Sequence, residues 1–130
     1  MSQTLPKSER LRSRKTIAML FSGGSVIAAP PVRMVWIQAN NTDNSPFQFT
    51  VSVPKKNFKR AVDRNRLKRQ MREVVRKNKL DIKNILKEKN KPCAMMFVFT
   101  GKEKADYKEI EGQIILILQR FISKIESLND

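Results

Sequence analysis

The stretch Lys55 to Lys79, KKNFKRAVDRNRLKRQMREVVRKNK, constrains this chain most, because it makes two demands that one local structure reconciles. It holds twelve of the 27 Lys and Arg against two acids, Asp63 and Glu73, so 12 minus 2 gives +10 of the formal +15. That is a surface for a polyanion. Leu67, Met71, Val74 and Val75 nevertheless fall at the i, i+4, i+7, i+8 spacing of one helical face, and Val62 is counted with the same stripe. At about 100° per residue, Asn65, Arg66, Lys68, Arg69, Arg72, Arg76 and Lys77 spread over the opposite side, with Arg64 at the edge of the apolar stripe. The pattern predicts a helix from Asp63 to Asn78. Asp63 suits its N-cap or first turn, and Arg76, Lys77 and Lys79 suit the negative C-terminal end.

A basic helix face is often only a solvated face, and Glu73 with Lys77 suits an ordinary i, i+4 pair. The charge density argues for more than that. With so few acids nearby, the cations repel one another unless phosphates neutralise them, and nothing in a fold requires such density.

A length of 130 residues with 40% hydrophobic content suits one globular domain spanning 1–130. The charge is uneven. Lys7 to Lys15 adds five basic residues against Glu9, whereas Lys102 to Asp130 holds five basic and six acidic residues. Cys93 is the only cysteine and lies in an apolar run, so a buried, unreactive thiol is expected, and a reducing cytoplasm fits. No apolar run approaches the roughly 18 residues of a membrane span, and the N-terminal stretch lacks a secretory apolar region. The basic helix also lacks the Trp or Phe anchors of an interfacial membrane helix, so no membrane partner is expected.

Residues 1–7, with Pro6, read as a disordered tail. Ser13 can cap a short helix to Phe21 that places Ile17, Leu20 and Phe21 together, with Gly23 and Gly24 as its stop. On residue statistics alone Phe21 is a core residue. Gly24 to Ala29 and Val32 to Ala39 read as strands on either side of Pro30-Pro31, though periodicity does not choose the buried face of the second. Asn40 to Pro46 is a polar loop. Beyond it Phe47, Phe49, Val51 and Val53 alternate with Gln48, Thr50 and Ser52, the clearest strand in the chain. The runs on either side of that loop are expected to pair as a hairpin. Leu80 to Lys91 suits another short helix closed by Pro92. Cys93 to Thr100 is apolar on both pleat faces and predicts an interior strand. Asp106 with Glu109 opens a long helix to Ser127, whose core stripe is Tyr107, Ile110, Ile114, Ile117, Leu118, Phe121 and Ile125. A sheet with helices packed against it follows.

Chemistry of the usual kinds is missing. The chain has no histidine, and it carries neither a paired-carboxylate metal site nor a GxxxxGK[ST] or GxGxxG phosphate loop. Any catalysis requires groups from a partner or a bound metal.

The string AVDRNRLKRQMREVVR, preceded by VSVPKK and NFKR, resembles the signature of the bacterial ribonuclease P protein subunit. The likeness extends from the first helix ending in LFSGG through FQFTVSVPKK to the later apolar strand and helix. It implies an α+β fold ordered helix-strand-strand-strand-helix-strand-helix, with a mixed sheet and a left-handed βαβ crossover. It also implies an endonuclease whose large RNA is the catalyst, acting with Mg²⁺, while the protein helps remove the 5′ leader of precursor tRNA. Matched by motif, Arg64, Asn65, Arg66, Lys68, Arg69, Arg72 and Arg76 would meet the catalytic RNA, where guanidinium forks suit phosphate. Phe21, Trp36, Lys55 and Lys56 would line a leader cleft between the first helix and the sheet, where aromatic rings can stack on bases. Ile17 stands where that family often has an aromatic. The implied partners are ribonuclease P RNA and precursor tRNA, with no DNA and no catalytic protein side chain. The competing reading is a ribosomal or other structural RNA-binding protein, for which the same helix would serve.

Overall fold

Each element starts or stops where the local chemistry requires it. The computed structural model describes residues 9–11, 13–38 and 46–127; the expected tail over 1–7 and the expected loop before Pro46 lie outside them. Helix α1 (Arg14–Gly23) opens with the Thr16 N–H donating to Ser13 Oγ at 3.2 Å, the cap read from the sequence. Gly24 closes it, its N–H donating to the Leu20 carbonyl at 3.2 Å. Close approach is what requires glycine here: a Cβ on Gly24 would stand 2.4 Å from Val35 Cγ1.

Strands β1 (Ser25–Ala29) and β2 (Val32–Gln38) pair antiparallel from Ser25 opposite Trp36 to Ala29 opposite Val32, joined through a cis Pro30–Pro31 peptide. Strand β3 (Phe47–Ser52) leads to helices α2 (Ala61–Asn78) and α3 (Leu80–Lys89), then to strand β4 (Cys93–Phe99) and helix α4 (Tyr107–Ser127). The sheet order is β1-β2-β4-β3.

That order corrects the expected hairpin between the runs on either side of the polar loop. β2 and β3 are not neighbours; β4 lies between them, antiparallel to β2 and parallel to β3. The reason is hydrophobic. All seven residues of β4 are buried, so it takes an interior position, with a strand on each side and helices on both faces. The expectation of an interior strand was met, and its consequence for β2 and β3 is the hairpin's absence.

Alternation assigns the two faces. Val32, Met34, Trp36, Phe47, Phe49, Val51, Met95, Phe97 and Phe99 join the main core with α2, α3 and α4. Val35, Ala94, Met96 and Val98 point the other way and pack with Leu11 and Leu20 under α1. The expected α4 stripe is buried from Ile110 to Ile125, with Tyr107 half-buried. Asp106 caps it, its Oδ1 accepting from the Glu109 N–H at 2.8 Å. α3 ends on Asn90, whose left-handed φ of 53° stops the helix two residues before Pro92.

α2 begins two residues earlier than the expected Asp63, after Arg60, which supplies no side-chain cap. Leu67, Met71, Val74 and Val75 are buried as predicted, whereas Val62 is 60% exposed and leaves the stripe. Each such buried side chain contributes about 1.5–3 kcal/mol, against about 0–1 for an exposed ion pair. The apolar stripe, then, holds α2 in place, and its cations remain available for another purpose.

Candidate nucleic-acid interface

The cations of α2 divide into those engaged within the protein and those left open. Arg64, at the edge of the apolar stripe, turns back toward the loop before the helix. Its Nη1 donates to the Phe58 and Lys59 carbonyls, each at 2.8 Å, so it braces the turn that delivers α2. Arg76 forms a fork with Glu73, its Nη2 at 2.9 Å from both carboxylate oxygens. Lys77 adds a contact to Glu73 at 3.5 Å and lies 5.8 Å from the centre of the Tyr107 ring. The Arg76 hydrogen bond leads in holding the Glu73 carboxyl below its ordinary range. Asp63, in the first turn, pairs with Lys104 at 3.0 Å, and that hydrogen bond likewise lowers its pKa.

What remains is a coherent surface. Asn65, Arg66, Arg69 and Arg72 are exposed and Lys68 is half-buried; among the described residues none of these four cations forms a salt bridge. Two of the seven residues read from the motif, Arg64 and Arg76, thus have hydrogen-bond partners within the protein, while Arg66, Lys68, Arg69 and Arg72 form no salt bridge among the described residues. A row of guanidinium groups carried on a docked helix is pre-organised for phosphate oxygens.

The other expected contacts are divided between α1 and the turn after β3. Phe21 is 72% exposed on α1, contrary to its reading as a core residue. Lys55 and Lys56 are exposed in the turn that follows β3, closed by the Asn57 N–H donating to the Pro54 carbonyl at 3.2 Å. Ile17 is half-buried against the α1-side cluster.

Trp36 does not belong with them. Its indole is 8% exposed on the opposite face, edge-on to Phe121 of α4 with ring centres 5.1 Å apart. Strand parity is the cause, since Trp36 shares the parity of Val32 and Met34, which face the main core. Trp36→Ala is expected to lower stability by about 3–5 kcal/mol, read by urea unfolding. In reconstituted complexes it should not change the preference between RNA ligands once the fold is restored by lower temperature.

Parity puts Arg33, and not Trp36, on the α1 side of β2. Arg33 is exposed and shares the α1 side with Val35; it pairs across the sheet with Val98, which in turn pairs with Ser52. The row Ser52, Val98, Arg33 runs across the sheet near the end of β3 that leads into Lys55 and Lys56. The sequence did contain the signal. Arg33 is the one charged residue in VRMVWIQ, and a charge marks the parity that faces water.

Catalytic chemistry does not emerge from the geometry. Burial pushes the Cys93 thiol up to about 12, which keeps it protonated and unreactive. Among the described residues no three His, Cys, Asp or Glu side chains come close enough to hold a metal ion, and no helix is long and apolar enough to cross a membrane.

Fold and surface together define a small α+β protein that presents a helix face of exposed cations suited to a phosphate-rich partner. The chain belongs to the ribonuclease P protein family, whose model matches residues 5–122, and so is a protein subunit of that ribonucleoprotein endonuclease. It is 33% identical over 123 residues to the ribonuclease P protein component of Porphyromonas gingivalis, covering 95% of this chain and 90% of that one. Its fold is similar to that of the RNase P protein from Thermotoga maritima, with a TM-score of 0.66 at 22% identity, covering 86% of this chain and 96% of that chain. The RNase P protein of Staphylococcus aureus gives 0.63 at 19% identity over 88% and 95% of the two chains. Family membership sets aside the structural-RNA alternative.

Proposed function

We propose that this chain is the non-catalytic partner of a ribonuclease P RNA, binding that RNA through α2 and the 5′ leader of precursor tRNA through the α1 face of the sheet. The observation that carries this reading is the set of unpaired cations on a helix anchored by a fully apolar stripe. Asn65, Arg66, Lys68, Arg69 and Arg72 contact RNA directly. Arg64 and Arg76 support the helix and its approach, and reach RNA only by exchanging partners.

Two effects then assist cleavage. Neutralising phosphates lowers the repulsion between two polyanions, and holding the leader reduces the entropic cost of aligning the scissile bond. On this reading the reacting groups belong to the RNA and its Mg²⁺, while this chain contributes binding and alignment. The setting for this work is the cytoplasm, where precursor tRNA is made.

Reconstitution tests the reading. Protein alone should not cleave precursor tRNA, whereas protein added to purified ribonuclease P RNA should lower the magnesium concentration needed for cleavage. Robust cleavage by the RNA-free protein would overturn it.

A finer test addresses the leader surface. Phe21→Ala should weaken binding of leader-bearing tRNA by about 1–3 kcal/mol, the usual worth of one stacked base. Lys56→Ala should weaken it less. Neither should alter affinity for mature tRNA, which has no leader, and a titration of the holoenzyme with both ligands compares them directly. Equal losses for the two ligands would remove Phe21 and Lys56 from the leader site.

A further inference from the structure

We propose that Glu9 is a positioning residue for the leader-binding surface: it latches the segment before α1 to the junction of α2 and α3, and thereby fixes where α1 lies over the sheet. This inference rests on the function proposed above.

Glu9 is the one charged residue among those described that is buried, at 1% exposure. Its Oε1 accepts from Lys79 Nζ, and its Oε2 lies 2.5 Å from Lys83 Nζ. Lys79 is at once the C-cap of α2 and the residue before α3, so the carboxylate reaches the point where the two helices meet. Immediately after Glu9 the chain runs along the free edge of β3. Arg10 forms a parallel bridge with Phe49, and the Leu11 N–H donates to the Phe49 carbonyl at 3.0 Å. Leu11 then enters the cluster beneath α1, and the Ser13 cap follows two residues later. Glu9 and Leu11 thus hold the approach to α1 from both sides, ionic on one and apolar on the other.

Stability alone does not account for this arrangement. Packed apolar side chains of similar volume often serve as well as a buried ion pair or better, whereas a charged group has few places where it can be satisfied. Burial acts to raise the Glu9 pKa, but the hydrogen bonds and charges of Lys79 and Lys83 outweigh it and the net shift is downward. The latch is therefore fully ionised at neutral pH and is lost only as the pH falls through the depressed value. It also keeps Lys79 and Lys83 engaged inside the protein, apart from the cations that α2 offers to RNA.

The test uses Glu9→Gln, Lys83→Gln and the exchanged pair Glu9→Lys with Lys79→Glu, each assembled with ribonuclease P RNA. In Glu9→Gln the ratio of precursor-tRNA to mature-tRNA affinity should fall roughly tenfold, the scale of a small misplacement of binding groups. Affinity for ribonuclease P RNA should not fall. Lys83→Gln, which leaves the Lys79 contact intact, should give an intermediate value even where Glu9→Gln fails to fold, and the exchanged pair, combined with Lys83→Gln so that no second ammonium faces the transplanted one, should match that intermediate value. With protein alone, trypsin should cut after Arg10, Arg14 or Lys15 faster in Glu9→Gln than in the wild type, with Lys83→Gln between the two. Equal losses for both tRNA ligands, or an unchanged ratio, would overturn the latch. A wild-type holoenzyme that does not distinguish precursor from mature tRNA would instead defeat the functional reading, and the trypsin rates would still decide whether the latch exists.

Discussion

Met71→Asp is expected to leave the chain unfolded at neutral pH. Met71 has no exposed surface and lies at the centre of the stripe that docks α2 on the sheet. The substitution removes a side chain worth about 1.5–3 kcal/mol of burial and puts an unpaired carboxylate in its place. Avoiding the charge by protonation still costs free energy, because the folded-state pKa must rise far above the ordinary value of about 4. The sign is therefore fixed: the penalty is smallest in acid and grows as the pH rises above that ordinary value toward the raised one. Several kcal/mol of loss consumes most of a total stability of about 5–15 kcal/mol. Circular dichroism at pH 7 and pH 4 measures the effect, and Met71→Leu, which conserves volume, should stay within about 1.5 kcal/mol of the wild type. A cooperatively folded Met71→Asp at pH 7 would contradict the observed register of α2.

Replacing Arg66, Arg69 and Arg72 together by alanine should cut affinity for ribonuclease P RNA by a factor on the order of 100 or more, while stability changes by about 1 kcal/mol or less. The three are exposed and form no salt bridge among the described residues, so the fold loses little with them. The salt dependence is the sharper readout. Each phosphate contact contributes roughly 0.7–0.9 to the log-log slope, and the triple variant should flatten it by about 2–3 units. Arg64→Ala makes a useful contrast, because its two carbonyl contacts brace the Phe58–Lys59 turn and its loss should register in thermal stability as well. Unchanged slopes in the triple variant would take this face out of the interface.

Local periodicity made the helices and the α2 register legible before any coordinates. Four buried positions spaced at i, i+4, i+7 and i+8 leave one solution, and Ser13 and Asp106 announced two of the helix starts. Strand order was not legible, because pairing partners are separated by long stretches of sequence and nothing local says that β4 enters between β2 and β3. The site divides along the same line. The open arginines of α2 could be read from a helical wheel, but Arg64 and Arg76 looked equivalent to them until their partners Phe58, Lys59 and Glu73 were in place. Trp36 was placed in the leader cleft by its position in the resemblance, and pleat parity turns it into the main core while Arg33 faces the α1 side. Glu9 stood as a lone acid among cations, and its role depends on two lysines some 70 residues further along the chain.

The central strand carries one more implication, for the chain as it is being made. CAMMFVF is seven buried residues without a charge, the composition of segments that stack edge to edge when exposed. Lys91 and Pro92 precede it and Lys102 and Lys104 follow it, so charge and a missing amide stand guard at both ends. Until Phe99 has left the ribosome, the β1–β2 hairpin and β3 have no strand to join them, and each presents an open edge. In the folded sheet β4 pairs along both edges, so this apolar, aggregation-prone segment is protected only once both of its neighbours have joined it.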